Sequence, residues 1–81
     1  MTDDNPYVPV ACATHSEYEL FIMHRNHLQL TWSDEPGNKH VAVVLPIDLI
    51  TKDGQEFLLV ENKEGKQQRI RLDRIQHYQQ V

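Results

Sequence analysis

Apolar residues recur at helical spacing in the first third of the chain. Tyr18, Phe21 and Ile22 follow one face of a helix. Leu20 and Met23 widen the apolar stripe beside that face. The pattern therefore predicts one amphipathic helix ahead of the remaining elements.

Two overlapping motifs mark the start of this helix. Thr14 with Glu17, and Ser16 with Glu19, each place a hydroxyl three residues ahead of a carboxylate, which is the spacing of a capping box. The helix is predicted to begin at Thr14 or Ser16, with Glu17 and Glu19 in its first turn. It is predicted to end near Asn26, because asparagine tolerates the left-handed conformation that closes many helices.

After the helix, the period of the apolar positions changes to two. Leu28, Leu30 and Trp32 alternate with polar residues, which is typical of a strand with one buried face. Trp32 is expected in the core, together with Phe21 and Phe57. Further strands are predicted over residues 41–45, 57–60, 68–72 and 75–78, separated by turns at residues 34–38 and 53–54 and by a loop at residues 62–66.

Pro46 interrupts this series of strands. Proline cannot donate a hydrogen bond to a sheet, so residues 46–49 are predicted to form a short turn or a single helical turn. Asp48 is well placed to cap that turn.

One helix followed by five short strands predicts a mainly β, α+β fold. The expected architecture is a small five-stranded barrel, closed or partly open, with the helix as its cap. A chain of 81 residues is too short for two cores, so a single domain is expected over residues 1–81. Residues 1–6 and 79–81 are expected to be flexible because of their composition.

The charge balance bears on the class of partner. Twelve acidic against eight basic residues give a formal charge of −4. Nucleic acids are bound through clustered lysine and arginine, so direct nucleic-acid binding is not expected. Arg69 and Arg71 alternate with Ile70 and Leu72, and carboxylates surround them in sequence. They are predicted to lie on a solvated strand face. An acidic chain is better suited to a basic partner surface.

The histidines and the single cysteine form no pattern typical of an enzyme or a metal site. His24 and His27 are three residues apart, but the helix is predicted to end between them. Cys12 and His15 suggest a nucleophile and a base, yet no catalytic signature surrounds them, and a small buried thiol is favoured for Cys12. Neither enzymatic activity nor a cofactor is expected.

The start of the chain and its hydropathy bear on localisation. MTDDNP lacks the basic and apolar regions of a signal peptide, and no apolar run approaches the roughly 20 residues that span a bilayer. A lone thiol fits a reducing compartment. A cytoplasmic protein with no membrane contact is therefore expected.

Short motifs along the chain resemble those of the Rho-binding antiterminator family. In chain order they are Tyr7-x-Pro9-Val10-x-Cys12, Tyr18-Glu19-Leu20, His27-Leu28-x-Leu30-Thr31, Asp48-Leu49, Glu56-Phe57-Leu58-x-Val60-Glu61 and Arg71-Leu72-Asp73-Arg74-Ile75. The resemblance extends from Tyr7 to Ile75.

This resemblance implies both a fold and an activity. The fold is similar to that of Sm proteins: a helix followed by a strongly bent five-stranded barrel. The implied activity is binding to the N-terminal RNA-binding domain of the transcription termination factor Rho. By blocking RNA engagement, such a protein inhibits Rho-dependent termination. The free protein is expected to be a monomer.

The resemblance also implies a contact surface around the start of the helix. By its motif position, Glu19 is the strongest candidate for a contact with Rho. His15 and Ser16 stand where the family usually has an aromatic residue followed by Asp. Glu17 supplies a carboxylate one residue along, rotated by about 100° on a helix.

Two further residues belong to the expected contact surface. Tyr7 is expected to provide buried contacts beside the carboxylates, as is His15. Asp48 matches a family position. Besides capping the predicted turn, it is expected to contribute to the interface as a second role. An Sm-like RNA-binding module is the alternative function. It would need a basic, aromatic-bearing face and ring assembly, which the net charge of −4 disfavours.

Overall fold

The computed structural model describes residues 7–81 as one helix followed by five strands. The elements are α1 (Cys12–His24), β1 (Leu28–Ser33), β2 (Lys39–Lys52), β3 (Gln55–Glu61), β4 (Gln67–Arg71) and β5 (Ile75–Gln80), with a 3₁₀ turn (Leu72–Arg74) between the last two strands. The strands pair antiparallel in the order β4-β3-β2-β1-β5. The predicted α+β class is confirmed.

The sheet has two unpaired edges within residues 7–81. β4 and β5 lie at opposite ends of the strand order and do not pair with each other. The sheet is therefore not closed into a barrel by hydrogen bonds. Residues 7–81 form no helix with both the length and the hydropathy of a bilayer-spanning segment.

β2 is the long central strand, and it continues through Pro46. Its first half pairs with β1 from Lys39 to Val44, and its second half pairs with β3 from Leu45 to Lys52. The register shifts between Pro46 and Asp48. The turn predicted at residues 46–49 is wrong, because a bulge accommodates the missing donor and the strand continues.

Asp48 caps no turn in this arrangement. Its carboxylate Oδ1 accepts a hydrogen bond of 2.8 Å from the backbone N–H of Leu49, within the strand itself. The role predicted for Asp48 as a cap is therefore wrong.

The helix begins before either predicted start. Ala11 is its N-cap and makes no side-chain cap hydrogen bond. Its carbonyl accepts hydrogen bonds from the backbone N–H groups of Thr14 (3.0 Å) and His15 (3.2 Å). Thr14 and Ser16 thus lie inside the helix, and neither predicted capping box forms its N-terminus. Cys12 opens the helix and is exposed, so the predicted buried thiol is wrong.

Long-range contacts of the preceding segment explain this early start. The backbone N–H of Val8 donates to Asp73 Oδ2 at 2.9 Å, and the Tyr7 hydroxyl donates to Glu56 Oε1 at 2.6 Å. These bonds fix the chain to the 3₁₀ turn and to β3 immediately before α1. The position of the helix is therefore set by tertiary contacts and not by a local cap.

The helix ends close to the predicted residue. Arg25 adopts the left-handed conformation with φ of 55°, and its N–H donates to the carbonyl of Ile22 at 3.2 Å. The N–H of Asn26 donates to the carbonyl of Phe21 at 3.0 Å. These two bonds form a Schellman motif with Arg25 in the position that asparagine or glycine usually takes.

The core lies between α1 and the sheet. Its buried apolar residues are Tyr18, Leu28, Leu30, Trp32, Val44, Leu58, Val60, Ile70 and Leu72. The alternation predicted for β1 is confirmed, and Trp32 is 7% exposed. Phe21 is half-buried and packs against this cluster.

Phe57 does not belong to the core. Leu58 and Val60 are the buried residues of β3, so Phe57 points to the other face. It is half-buried there, and the guanidinium carbon of Arg69 lies 5.7 Å from its ring centre. The prediction for Phe57 is wrong because the neighbouring Leu58 sets the opposite register.

Arg71 also departs from its predicted solvated position. It is 7% exposed, since it lies in a buried run of three residues, Ile70 to Leu72, where β4 passes into the 3₁₀ turn. Its Nε donates to Asp73 Oδ1 at 2.6 Å, and its Nη2 donates to Asp73 Oδ2 at 2.9 Å. This two-pronged ion pair compensates the burial of the guanidinium.

The last strand extends beyond its predicted end. Gln79 pairs with Gln29 and Gln80 pairs with Leu28 on β1. The N–H of Val81 donates to the carbonyl of His27 at 3.1 Å. The chain after Tyr78 thus continues the sheet, whereas the expectation for residues 1–6 lies outside the described residues.

Candidate functional site

Tyr7 and His15, two of the predicted contact residues, meet at a carboxylate on β3. The Tyr7 hydroxyl donates to Glu56 Oε1 at 2.6 Å, and His15 Nε2 lies 2.9 Å from Glu56 Oε2. We call these three residues the Glu56 junction. It joins the segment before α1, the first turn of α1 and the start of β3.

The hydrogen bonds of the junction favour one charge state. The hydrogen bonds from Tyr7 and His15 lower the pKa of Glu56 below its ordinary value. Burial, followed by the hydrogen bond to Glu56, raises the pKa of Tyr7. Glu56 is therefore an ionised acceptor and Tyr7 a neutral donor at neutral pH.

Glu56→Gln is expected to lower the melting temperature at about pH 7 and to have less effect at about pH 3.5. Because the folded-state pKa of Glu56 is lowered, its carboxylate stabilises the fold above the unfolded-state pKa. That stabilisation is lost as pH falls through the folded-state value. Thermal unfolding at both pH values, followed by circular dichroism, measures the effect. Glu64→Gln, in the loop before β4, is the control, and an equal Glu56→Gln effect at both pH values would contradict the assignment.

Glu17 lies on the side of α1 that faces β5. It accepts a hydrogen bond from the hydroxyl of Tyr78. The ring of Tyr78 packs against Tyr18 and Phe21, with ring centres 5.0 Å and 6.1 Å apart. Burial and the bond to Glu17 raise the pKa of Tyr78. Glu17 therefore fastens the helix to the sheet.

Glu19 has a different environment from Glu17. The first turn of α1 contains no acidic residue. Glu17 and Glu19 therefore lie after the first turn, and the prediction that they belong to it is wrong. They are two residues apart and project about 200° apart around the helix. Glu19 is exposed and lies one helical turn beyond His15. Within residues 7–81, it has no hydrogen bond or ion pair.

The remaining predicted contact residues do not join the Glu56 junction. Ser16 is exposed on α1, and Asp48 is exposed on β2 beside the bulge. The structure thus brings Tyr7 and His15 together and separates Glu17 from Glu19.

Sequence reasoning missed Glu56 as the centre of this region. It belongs to the motif at the start of β3, but its partners lie 49 and 41 residues earlier in the chain. The one available signal is that Glu56 is a charged residue at a half-buried strand position, where a hydrogen-bond partner is needed. Asp73 was missed in the same way, although it holds both Arg71 and the backbone of Val8.

The chemistry of this region comes from its carboxylates. Among the described residues, no three His, Cys, Asp or Glu side chains are grouped so that they could hold a metal ion. Glu56 is held by two donors, Glu17 by one, and Glu19 projects into solvent. Such a surface can attract and pair with lysine or arginine on a partner.

Comparisons with known proteins concern the fold. No protein-family model matches the chain, and no curated protein matches it. Among solved structures, the chain is similar to proteasome accessory factor B/C (PafBC) of Arthrobacter aurescens, with a TM-score of 0.76 and 14% sequence identity. The match covers 93% of this chain and 12% of the PafBC chain. At this identity, the similarity shows a shared fold: one helix and a five-stranded antiparallel sheet.

Proposed function

We propose that this protein binds the N-terminal RNA-binding domain of the termination factor Rho and blocks its access to RNA. Rho-dependent termination is inhibited as a result. The motif resemblance from Tyr7 to Ile75 and the formal charge of −4 support this function. The proposed activity requires the bacterial cytoplasm, where Rho acts.

The exposure of Glu19 is the observation that carries the proposal. Glu19 is the strongest candidate for the Rho contact by motif position, and it is exposed on α1. Glu17 is bonded to Tyr78, and Glu56 is bonded to Tyr7 and His15, whereas Glu19 is not used within the described fold. A carboxylate with no internal role is available to pair with a basic partner.

Apolar residues beside Glu19 supply the other part of the contact. Leu20 is 51% exposed and Met23 is 71% exposed. Met23 lies four residues after Glu19 and three after Leu20, so the three side chains share one side of α1. We call them the Glu19 face. Charge speeds encounter, while buried apolar contacts give residence time and discrimination. Tyr7 and His15 are already engaged at Glu56, so the Glu19 face is the better source of these contacts.

An Sm-like, partly open barrel is the architecture that we propose for the sheet. In a flat sheet, β4 and β5 would be four strand spacings apart, or about 19 Å. Yet only the three residues of the 3₁₀ turn connect them, and three such residues rise about 6 Å. This short connection supports a sheet that curls so that its two edge strands approach each other. The register shift at Pro46, midway along the 14-residue strand β2, supports the same bend.

The experiment that tests the proposed function measures association with the isolated RNA-binding domain of Rho at two salt concentrations. Raising ionic strength from about 0.01 M to about 0.15 M shortens the Debye length from about 30 Å to about 8 Å. The association rate should therefore fall severalfold, while the dissociation rate changes less. Surface plasmon resonance with the Rho domain immobilised gives both rates. No binding at either salt concentration would overturn the proposal, and a salt-independent association rate would remove its electrostatic part.

A further inference from the structure

A groove separate from the Glu19 face lies between the β1–β2 turn and the strands β3 and β4. Its volume is about 370 Å³, which is in the range of pockets that hold small ligands, so a few side chains of a peptide fit into it. Trp32 and Ile70 line its buried base. Phe57 and Arg69 line its wall.

The segment before α1 starts at one end of this groove. The ring centre of Tyr7 lies 5.9 Å from the guanidinium carbon of Arg71, which lines the groove. The hydroxyl of Tyr7 is bonded to Glu56 on β3, so the position of Tyr7 is fixed. Residues 1–6 therefore extend from a fixed point beside the groove.

Arg69 is the cation on the groove wall that an acidic group can reach from solvent. It is exposed, and its guanidinium carbon lies 5.7 Å from the centre of the half-buried Phe57 ring. Within residues 7–81, Arg69 makes no ion pair. Arg71, by contrast, is neutralised by both carboxylate oxygens of Asp73. A carboxylate that enters the groove thus finds its partner in Arg69.

The leading segment of the chain has the charge and the length to supply that carboxylate. Residues 1–6 contain Asp3 and Asp4 and no lysine or arginine. An extended chain spans at most about 3.3–3.6 Å per residue, so Asp4 reaches about 10 Å from Tyr7. Arg69 lies two residues along β4 from Arg71, or about 7 Å. Both aspartates are therefore within reach of Arg69.

We propose that residues 1–6 dock in this groove, with Asp3 or Asp4 paired to Arg69. A single exposed ion pair is weak, but a short tether gives the carboxylates a high effective concentration at the arginine. Asp34 and Glu35 line the groove on the β1–β2 turn, and their charges repel the segment toward β4.

The docked segment gives the groove an occupant from the chain itself. The segment has few apolar residues, so charge and tether hold it in place, and burial contributes little. No residue of the Glu19 face lines the groove, so this contact is independent of the proposed contact with Rho.

Paramagnetic relaxation enhancement tests this contact in the full-length protein. A nitroxide is attached at Thr2→Cys, in a protein whose exposed Cys12 is replaced by Cys12→Ser. At low salt, the nitroxide should speed the relaxation of the backbone N–H groups of residues 68–70. This enhancement should weaken as ionic strength rises to about 0.15 M, because the Debye length shortens to about 8 Å.

Variants separate docking from a tethered segment that only passes near the groove. Asp3→Asn with Asp4→Asn keeps the tether and removes both charges, so the enhancement at residues 68–70 should fall severalfold. Arg69→Ala should have the same effect. Lys66→Ala removes one exposed cation outside the groove lining and should leave the enhancement unchanged. The NMR spectra verify that each variant is folded.

Four results would overturn the proposal. The first is an enhancement no larger than that of the doubly neutralised variant. The second is an unchanged enhancement in Arg69→Ala. The third is an equal loss in Lys66→Ala and Arg69→Ala, which would show unspecific attraction. The fourth is an equally large enhancement when spin-labelled protein is mixed with isotope-labelled protein that carries no nitroxide, because the occupant would then be a second copy. Rho is absent from this measurement, so its outcome does not depend on the proposed function.

Discussion

Replacing Trp32 with alanine is expected to lower the free energy of unfolding by roughly 3–5 kcal/mol. Trp32 is 7% exposed and packs in the same core cluster as Leu30 and Val44. Its ring also stacks on His40, the residue opposite it on β2, with ring centres 5.3 Å apart. Truncation removes the largest side chain from a core that belongs to an 81-residue domain. Total stabilities of such domains are about 5–15 kcal/mol, so a substantial unfolded fraction is expected.

Urea denaturation followed by circular dichroism measures this loss, since the variant has no tryptophan signal. Val41→Ala is the matched control, because Val41 lies on the adjacent strand and is 56% exposed. Its effect should stay within about 0.5 kcal/mol. An unchanged urea midpoint for Trp32→Ala would show that the register of β1 is wrong.

Glu19→Lys is expected to weaken Rho binding by about 2–5 kcal/mol if its charged partner becomes buried, or roughly 30-fold to several thousandfold in Kd. The free energy of unfolding should change by no more than about 0.5 kcal/mol. Ala11 begins the helix without a side-chain cap, so Glu19 has no capping role to lose. The two effects therefore separate in one variant: binding is lost and the fold is retained.

Glu64→Lys is the matched control for this variant. It makes the same change in net charge, and Glu64 is exposed in the loop before β4. It should lower the association rate slightly and leave the dissociation rate unchanged. Equal losses of Rho affinity in both variants would show that net charge alone, and not a contact at Glu19, determines binding. A Glu19→Lys protein that binds Rho normally would remove the Glu19 face from the proposal.

The sequence predicts those parts of the fold that depend on neighbouring residues. The alternation of Leu28, Leu30 and Trp32 sets the buried face of β1, and this needs no knowledge of the partner strand. The turn at Asp53 and Gly54 is also local, since both residues have positive φ, at 54° and 74°.

The errors occur where distant residues decide the outcome. Pro46 breaks a strand unless a partner strand accepts a bulge, and that partner is β3. The sequence predicts a solvated Arg71, because it does not show that Asp73 pairs with the buried guanidinium. The capping motifs at Thr14 and Ser16 have the right spacing. The helix nevertheless starts earlier, because Tyr7 and Val8 are bonded to β3 and to the 3₁₀ turn.

The candidate site shows the same division. Exposure of Glu19 follows from its place on a surface helix, and the structure agrees. The motif positions predict that Tyr7 and His15 face a partner, but both are bonded to Glu56 on β3. A contact across 49 residues cannot be read from spacing, because local periodicity carries no information about which strand lies beside a helix.

Displacement of labelled C-rich RNA from intact Rho tests the central claim most directly. Fluorescence anisotropy of the RNA is followed while this protein is added in excess at low salt, with the Glu19→Lys variant in a parallel titration. We expect the wild-type protein to release the RNA from Rho, and the variant to require a much higher concentration for the same release. RNA that remains fully bound to Rho in the presence of excess wild-type protein would contradict that claim.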